Sequence, residues 1–499
     1  MGVIISIDAG TTGVRSFVVD ETGAPIGSSY REFTQHFPRP GWVEHDATEI
    51  WQAVQTTLAE QIAAIDEPIA AIGIADQRET VVAWDRRTGE PLSRAIVWQD
   101  RRTARRCDEL AAAGHLDLVR RTSGLVLDPY FSGSKVEWLA RHGGVTLDHN
   151  TAVGTIDSWL LWQLTGGAVH ATDPSNASRT MLFDIGRGVW SDELCDLFGV
   201  PLHVLPEVRP SAGRFGVTSA DCVTGPGIAI SGIAGDQQAA LFGQACFAPG
   251  MSKNTYGTGS FVLTNIGERL PDPADGLLTT VAWTLPRSLL EPGTSGNVTH
   301  YALEGAIFVT GAAVQWLRDG LGLIETAAEI GPLAESVGDS GGVIVVPAFT
   351  GLGSPYWDPY ARGTIVGLTR GSGRAQIARA TVESMAFQTR DVVDAMTTAG
   401  GTPITELRVD GGASVMGLLM QLVADQLGVA VVRPIHQEST ALGAAYLAGL
   451  AEGVWSTVHD VAQHWAVDQR VEPSADRGPS DDAYAQWLRA VERSRDWGR

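Results

Sequence analysis

The sequence predicts an α/β protein of two layered domains facing each other across a cleft. Three observations lead there. The chain has 499 residues, well beyond the roughly 250–300 at which one hydrophobic core stops growing. It opens with short apolar runs separated by Gly-rich turns, then an apolar repeat of helical period, the pattern of a sheet covered by helices. The same strand, Gly-Thr turn and strand recur after the Pro249-Gly250 break, which predicts a second unit built like the first.

The apolar run Val3 to Ile7 stops at Asp8-Ala9-Gly10-Thr11-Thr12-Gly13-Val14-Arg15, and Ser16 to Val19 resumes it. Such a pair predicts a hairpin that lifts backbone N–H groups, hydroxyls and a carboxylate to one sheet edge. Pro25 to Arg31 predicts a third strand. Asp46 and Glu49 stand at capping-box spacing ahead of Trp51, Val54, Leu58, Ile62 and Ile65, so a helix with one buried face follows. Strands are expected at Ala71 to Ile74 and Thr80 to Trp84, with Arg87-Thr88-Gly89 as a turn. The break at Pro249-Gly250 divides a domain of residues 1–248 from one of residues 249–499. Beyond it, Asn254 to Asn265 reads as strand, turn and strand. Helices are expected near Ala312 to Leu321 and Ala375 to Met396, and Leu407 to Val409 is a strand running into Asp410-Gly411-Gly412. Ser480 followed by Tyr484, Trp487, Leu488 and Val491 predicts a docked amphipathic helix over about 480–494.

Composition removes several classes of partner. The chain has 57 acids against 36 bases, a formal charge of -21, which opposes nucleic acid or an anionic membrane as a general partner. No basic stretch precedes an apolar one, and no run approaches the ~18 apolar residues of a membrane helix. A soluble, cytoplasmic protein is expected. Cys107, Cys195, Cys222 and Cys246 lie far apart without a Cys-x-x-Cys pair, so reduced thiols are expected rather than disulfides or zinc.

Four groups of residues carry chemistry. In the first turn, Thr11 and Thr12 can hydrogen-bond phosphate oxygens, Arg15 can neutralise them, and Asp8 can hold magnesium directly or through water. An ordinary hairpin with an exposed acid is the plainer alternative. Next, Gly235-Asp236-Gln237-Gln238 follows the apolar run Ile228 to Ile233. A carboxylate at a strand's end in a Gly-rich turn can enter a cleft and take the proton of an attacking hydroxyl. Gly-Asp is also common turn chemistry, while the two glutamines favour a polyol site. The third group joins Gln77-Arg78-Glu79-Thr80, Trp98-Gln99-Asp100 and Asp128-Pro129-Tyr130. Arg78 donates, Glu79 accepts, Tyr130 does either, and Trp98 offers an apolar wall to a carbon skeleton. The alternative is an ion pair between strands beside core aromatics. On the nucleotide side, Thr255-Tyr256-Gly257-Thr258-Gly259 repeats the Gly-Thr chemistry, and Asp410-Gly411-Gly412-Ala413 lets backbone pass close to a flat base or ribose. No Gly-x-x-x-x-Gly-Lys-Ser/Thr phosphate loop is present.

Taken in order, these segments resemble the glycerol kinases of the FGGY carbohydrate-kinase family. The resemblance runs from Ile7-Asp8 through Phe33-Thr34-Gln35, Gly41-Trp42-Val43-Glu44-His45, Ile96 to Arg102 and Asp173 to Thr180. It continues through Gly235 to Ala240, Gly351 to Trp357 and Thr440 to Ala445. It implies two ribonuclease-H/actin-like ATPase domains flanking a catalytic cleft, closing on magnesium-ATP and glycerol. The implied reaction is ATP-dependent phosphorylation of glycerol to sn-glycerol 3-phosphate, with Asp236 as general base. Polyol contacts carry over to Arg78, Glu79, Tyr130, Asp236 and Gln237, with carbons packed on Trp98 and Phe261. Nucleotide contacts carry over to Thr11, Thr12, Gly13, Arg15, Thr258, Gly311, Gln315, Gly412 and Met416, and the magnesium-linked acid to Asp8.

The turn departs from the pattern at Ala9, Gly13 and Val14, as in pentulose-kinase cousins, and so lacks two side-chain hydroxyls. Met416 replaces an Asn. A homodimer or homotetramer is implied. The connection from Phe215 to Ile228 has no Lys, Arg or His, so control by fructose bisphosphate or by a sugar-transport phosphocarrier is not expected. Two alternatives stand beside this reading: another polyol or ketose kinase of the family, and an actin-like ATPase without a small-molecule acceptor.

Overall fold

The computed structural model describes residues 2–400 and 403–498. The opening hairpin forms as β1 (Val3–Ala9) and β2 (Gly13–Val19), with Asp8 paired across from Arg15 near its mouth. Both faces of these strands are covered, which explains their continuous apolar runs. β3 (Pro25–Glu32) is the edge strand and alternates half-buried with exposed residues over most of its length. β4 (Ile69–Asp76), β5 (Ala212–Val217) and β6 (Ala229–Gly235) complete a six-stranded sheet of order β5-β6-β4-β1-β2-β3. Its centre, β6, β4 and β1, is parallel, and the register sets Ala9 beside Asp76 and Asp76 beside Gly235. Three parallel strands therefore end at one level.

The second sheet contains β7 (Ser252–Tyr256), β8 (Ser260–Gly267), β9 (Leu278–Pro286) and β10 (Asn297–Ile307). β11 (Glu406–Asp410), β12 (Ala430–Pro434) and β13 (Val467–Val471) complete the order β9-β10-β8-β7-β11-β12-β13. Its parallel centre, β12, β11 and β7, is flanked by antiparallel β13 and β8, just as β6, β4 and β1 are flanked by β5 and β2. The repeat read from two Gly-Thr turns is thus a repeat of topology.

Helix Ala47–Ile62 covers β2 and β3. Asp46 caps it, accepting the Thr48 N–H at 2.8 Å, but the expected capping box does not close. Glu49 turns away to accept the Thr34 N–H at 3.0 Å. The buried stripe is Ile50, Val54, Leu58 and Gln61, while Trp51, Ile62 and Ile65 flank it half-buried.

The opposite face of this sheet is covered from far along the chain. Helix Ser439–Ala451 packs on β1, β4 and β6 and against helix Asp236–Gly243. The two helices touch backbone to backbone. A Cβ on Gly443 would lie 1.8 Å from the Ala239 carbonyl oxygen, and one on Gly243 would lie 2.0 Å from that of Ser439. Only glycine permits this approach, so the Gly443 contact fixes where the Asp236 helix sits.

Other expectations shift by small amounts for local reasons. The strand read at Thr80 to Trp84 is Val82–Asp85, because the Thr80 N–H closes a tight turn onto the Arg78 carbonyl at 2.8 Å. The helix near Ala312 is short, Gly311–Gln315, and widens into a π turn over Trp316–Gly320. Helix Gly478–Ser494 docks through Trp487, Ala490 and Val491. Leu488, expected in that face, is 40% exposed, since one residue of helix rotates it about 100° from Trp487. On the long helix Arg374–Gly400, Asp391 accepts the Tyr484 hydroxyl at 2.7 Å and the Trp487 indole N–H at 2.9 Å. All four cysteines are buried and unpaired. Among the described residues, no helix is long and apolar enough to cross a membrane.

Trp487→Ala should remove both the buried ring and its bond to Asp391, weakening the docking of the terminal helix by about 3–5 kcal/mol. Limited proteolysis reads this as faster cleavage in the exposed link before Gly478. Cleavage at the parental rate would show that the helix is held by other contacts.

Candidate active site

Ligands of open α/β sheets bind beyond the carboxyl ends of their parallel strands. Here Asp8 to Thr12 end β1, Gln77 to Glu79 follow β4, and Asp236 follows β6. In the second sheet, Gly257 to Gly259 follow β7 and Gly411 to Gly412 follow β11. In both sheets the candidate turns thus lie at the carboxyl ends of parallel strands.

Asp236 is not in a turn, as the Gly-Asp pair suggested. β6 runs straight into a helix whose first residue it is. Its Oδ1 accepts the Gln237 backbone N–H at 2.7 Å and faces Arg78 Nε at 3.1 Å. The side chain is 27% exposed, and among the described residues Oδ2 has no hydrogen-bond partner. One carboxylate oxygen is therefore anchored and the other is free.

The anchor belongs to a buried network. Arg78 grips Glu304 of β10 with both terminal nitrogens, at 2.5 and 3.1 Å, and donates to the Tyr130 hydroxyl at 3.3 Å. Arg179 donates to Glu79 at 2.7 Å and to Glu304 at 3.0 Å. All four charged groups are at most 2% exposed. Arg78 and Glu79 are thus not a simple pair with each other; each has its main partner elsewhere. Burial pushes the Glu304 carboxyl up, but Arg179 and Arg78 outweigh it and hold it at about 2. For Glu79 burial prevails over the two arginines, and its carboxyl is raised. Glu79 also has φ of 62°, a left-handed conformation that costs a non-glycine residue about 1–3 kcal/mol and that Arg179 helps to hold.

Aromatic rings close the pocket. Trp98 meets Tyr130 at 5.6 Å and Phe261 at 6.4 Å, both edge to face, and the Arg78 guanidinium lies 5.8 Å from the Phe261 ring. Phe261 comes from β8, whereas Trp98 and Tyr130 stand in turns, so the second sheet supplies one wall and turns of the first half the others. The Trp98 indole N–H donates to Thr11 Oγ1 at 2.9 Å, which joins the apolar wall to the first turn. Gln237 Oε1 accepts from the Lys253 ammonium, which also donates to Thr255 Oγ1 at 2.9 Å.

In the first turn, burial and the nearby charge of Asp236 push the Asp8 carboxyl up to about 7, against the pull of Arg15. Arg15 is ion-paired with Glu438, just before the crossing helix. Thr12 Oγ1 lies 3.2 Å from the Tyr30 hydroxyl. A Cβ on Gly13 would fall 2.5 Å from the Tyr30 ring, so Tyr30 occupies the space that a serine here would need. Among the described residues no group of three or more His, Cys, Asp or Glu forms a metal cage. The donor set fits magnesium held by one or two carboxylates and substrate phosphate, since a divalent cation would relieve the crowding of Asp8 and Asp236.

In the second unit, the Gly257 carbonyl accepts the Gly311 N–H at 3.0 Å, and the Thr258 carbonyl accepts those of Thr310 and Ala312 at 2.9 and 3.0 Å. Thr258 and Gln315 are exposed at either end of this element. Gly411, with φ of 84°, rests on Tyr256 and sets the exposed Gly412 beside the same turn. Met416 is half-buried at the start of helix Gly417–Leu427, facing Gly331.

Sequence reasoning did not select Glu304, Arg179, Lys253, Tyr30 or Glu438. Glu304 had a signal, an acid alone in an apolar strand, and Arg179 stood within the Asp173 to Thr180 run. The partners of Glu304 and Arg179 are 100 or more residues away in sequence, and nothing local names them.

Comparison with known proteins completes the picture. Residues 3–243 match the N-terminal domain of the FGGY family of carbohydrate kinases, and residues 252–452 match its C-terminal domain. The chain belongs to the FGGY family of carbohydrate kinases. Within it, the chain is 52% identical to a glycerol kinase of Bordetella parapertussis over 99% of its own length and 98% of that protein. It is also 52% identical to glycerol kinase 2 of Thermotoga maritima, over 100% and 99% of the two chains. The crystal structure of Plasmodium falciparum glycerol kinase with ADP superposes with a TM-score of 0.91 at 35% identity, covering 99% of this chain and 98% of that one. A ligand-bound xylulose kinase of Lactobacillus acidophilus gives a TM-score of 0.88 at 22% identity, covering 99% of both chains, and shares the fold. The architecture is thus the two-domain FGGY fold, with actin-like, ribonuclease-H-like units on either side of the cleft.

Glu304→Gln should leave two buried guanidinium groups short of a countercharge and destabilise the protein by about 3–5 kcal/mol. A denaturation midpoint equal to the parent's would remove the network from its structural role. Asp8 is more basic in the folded than in the unfolded chain, so its contribution to stability is present at low pH and is lost as pH rises from about 4 to about 7. Asp8→Asn should therefore raise the melting temperature more at pH 8 than at pH 4.5 without added metal, and equal shifts at the two values would contradict it.

Proposed function

We propose that this chain is an ATP-dependent glycerol kinase, transferring the terminal phosphoryl group of ATP to a terminal hydroxyl of glycerol to give sn-glycerol 3-phosphate. The observation that carries the proposal is the Asp236 carboxylate, whose Oδ2 has no partner among the described residues and whose Oδ1 faces Arg78, a guanidinium that also reaches Tyr130 and lies 5.8 Å from the Phe261 ring. Full-length similarity to glycerol kinases supports the choice of acceptor.

The pocket offers a small polyol what it needs. Arg78, Glu79, Tyr130 and Gln237 give hydrogen bonds, and Trp98 and Phe261 cover the carbon side. Asp236 Oδ2 accepts the proton of the attacking hydroxyl, while Oδ1 stays fixed by Arg78 and the Gln237 N–H. Backbone N–H groups and hydroxyls of the turns at Thr11 to Gly13 and at Thr258 face the charged phosphate oxygens, and Arg15 adds positive charge at the first turn. Gly311, Gln315, Gly412 and Met416 line the nucleotide's place in the second unit. Asp8 would hold magnesium, which when bound neutralises phosphate charge. Water is a smaller nucleophile than glycerol, so closure of residues 1–248 on residues 249–499 is needed to suppress ATP hydrolysis.

The same reading carries a homodimer or homotetramer acting in the cytoplasm. It also carries independence from fructose bisphosphate and phosphocarrier control, because the connection from Phe215 to Ile228 has no Lys, Arg or His.

The test is ADP release measured with and without glycerol. Release should depend on glycerol, and Asp236→Asn should lower turnover by roughly 10²-fold or more while glycerol still binds. ATP consumption indifferent to glycerol would favour an ATPase without a small-molecule acceptor, and faster turnover of a pentulose would move the acceptor to a ketose.

A further inference from the structure

Lys253 lies in β7 with 0% of its surface exposed. Burying an ammonium is unfavourable unless hydrogen bonds or opposite charges compensate. Its two hydrogen-bond partners are neutral, Gln237 Oε1 and Thr255 Oγ1. Burial lowers its proton affinity, bringing it to about 8, while the charges of Asp410, Asp236 and Glu304 work against that shift and Arg78 works with it.

An ammonium has three donors and no acceptor. The Gln237 amide beside it can present only its carbonyl oxygen, because the reversed amide would set N–H against N–H. The orientation of an amide is usually ambiguous, and here the donor-only partner settles it. Gln237 Nε2 consequently points away from Lys253. It makes no hydrogen bond among the described residues and is not among the buried polar atoms lacking partners. Gln237 and Asp236 begin the same helix, so the two amide N–H donors are carried by the element that carries the free carboxylate oxygen.

We infer that Lys253 is a positioning residue for the acceptor alcohol, locking Gln237 so that its amide offers substrate hydrogen-bond donors and never an acceptor. The inference takes glycerol as substrate from the preceding reading. Lys253 belongs to the second sheet and Gln237 to the helix that follows the first, so this donor set exists only when the two units hold their register. The bond to Thr255 ties the same ammonium to the strand that leads into the Gly257 to Gly259 turn. A substrate oxygen thereby meets the Gln237 amide donors for its lone pairs, and Asp236 Oδ2 takes its proton.

Steady-state kinetics, with glycerol and ATP varied separately, test this on Lys253→Met, Gln237→Leu, their double variant and Gln237→Glu. Lys253→Met should raise the glycerol KM roughly tenfold and leave the ATP KM within about twofold. It should add nothing further in the Gln237→Leu background, because it acts through that side chain. Gln237→Glu keeps a partner for the ammonium but replaces donors with acceptors. It should raise the glycerol KM at least as far without lowering the melting temperature, and it carries the test if Lys253→Met does not fold. The inference is overturned if Lys253→Met has its full effect in the Gln237→Leu background, if it acts on the ATP KM, or if Gln237→Glu has the parental glycerol KM. A parent protein without glycerol-dependent ADP release would instead sink the glycerol reading, so the two failures are distinguishable.

Discussion

The two-point contact between Arg78 and Glu304 is the constraint on which the site depends. It joins a residue at the end of β4 to one in β10, so it spans the two sheets, and both partners are out of reach of water. Desolvating such a pair offsets most of its Coulombic gain, so it contributes little net stability over an apolar replacement. It does select geometry. A guanidinium fork satisfied by one carboxylate tolerates little rotation, and the remaining Arg78 nitrogen, Nε, is then aimed at Asp236. Arg179 reinforces the arrangement by sharing Glu304 and holding Glu79 in its left-handed conformation. The placement of Tyr130 and that of the Asp236 carboxylate are two consequences of one buried charge network.

A second constraint acts through packing rather than charge. Helix Ser439–Ala451 leaves the second half of the chain to lie on the first sheet, and its glycine contact with the helix of Asp236 sets that helix to within the thickness of two backbones. Just before it, Glu438 pairs with Arg15 of the first turn. One element therefore contacts both the helix that begins with Asp236 and, through Glu438 just before it, the first turn. Trp98 adds a local link, since its indole binds Thr11 while its ring meets Tyr130.

Much of the fold could be read from the chain because its signals are local. Apolar runs, Gly-Thr turns and helical spacing placed the opening hairpin, the Ala47 helix, the long helix around Ala375 to Met396 and the repeated strand-turn-strand. The misses were also local, and each had a competitor that the pattern did not display. Glu49 had Thr34 as a rival to its own helix end, and Gly235 continued a strand into a helix instead of turning. Of the candidate site residues, Arg78, Glu79, Trp98, Tyr130, Asp236 and Gln237 stood in motifs, whereas Phe261 entered only through the family resemblance.

By itself, then, the sequence determined the kinds of groups available and the elements carrying them, since strand, turn and helix preferences act over a few residues. Tertiary structure decided what those groups do to one another. It put Glu304 on Arg78, Arg179 on Glu79 and Lys253 on Gln237, freed one oxygen of Asp236, and filled the space at Gly13 with Tyr30. Hydrogen bonds, burial and charge depend on distance in space, and in this fold the partners that matter come from separate strands, helices and turns.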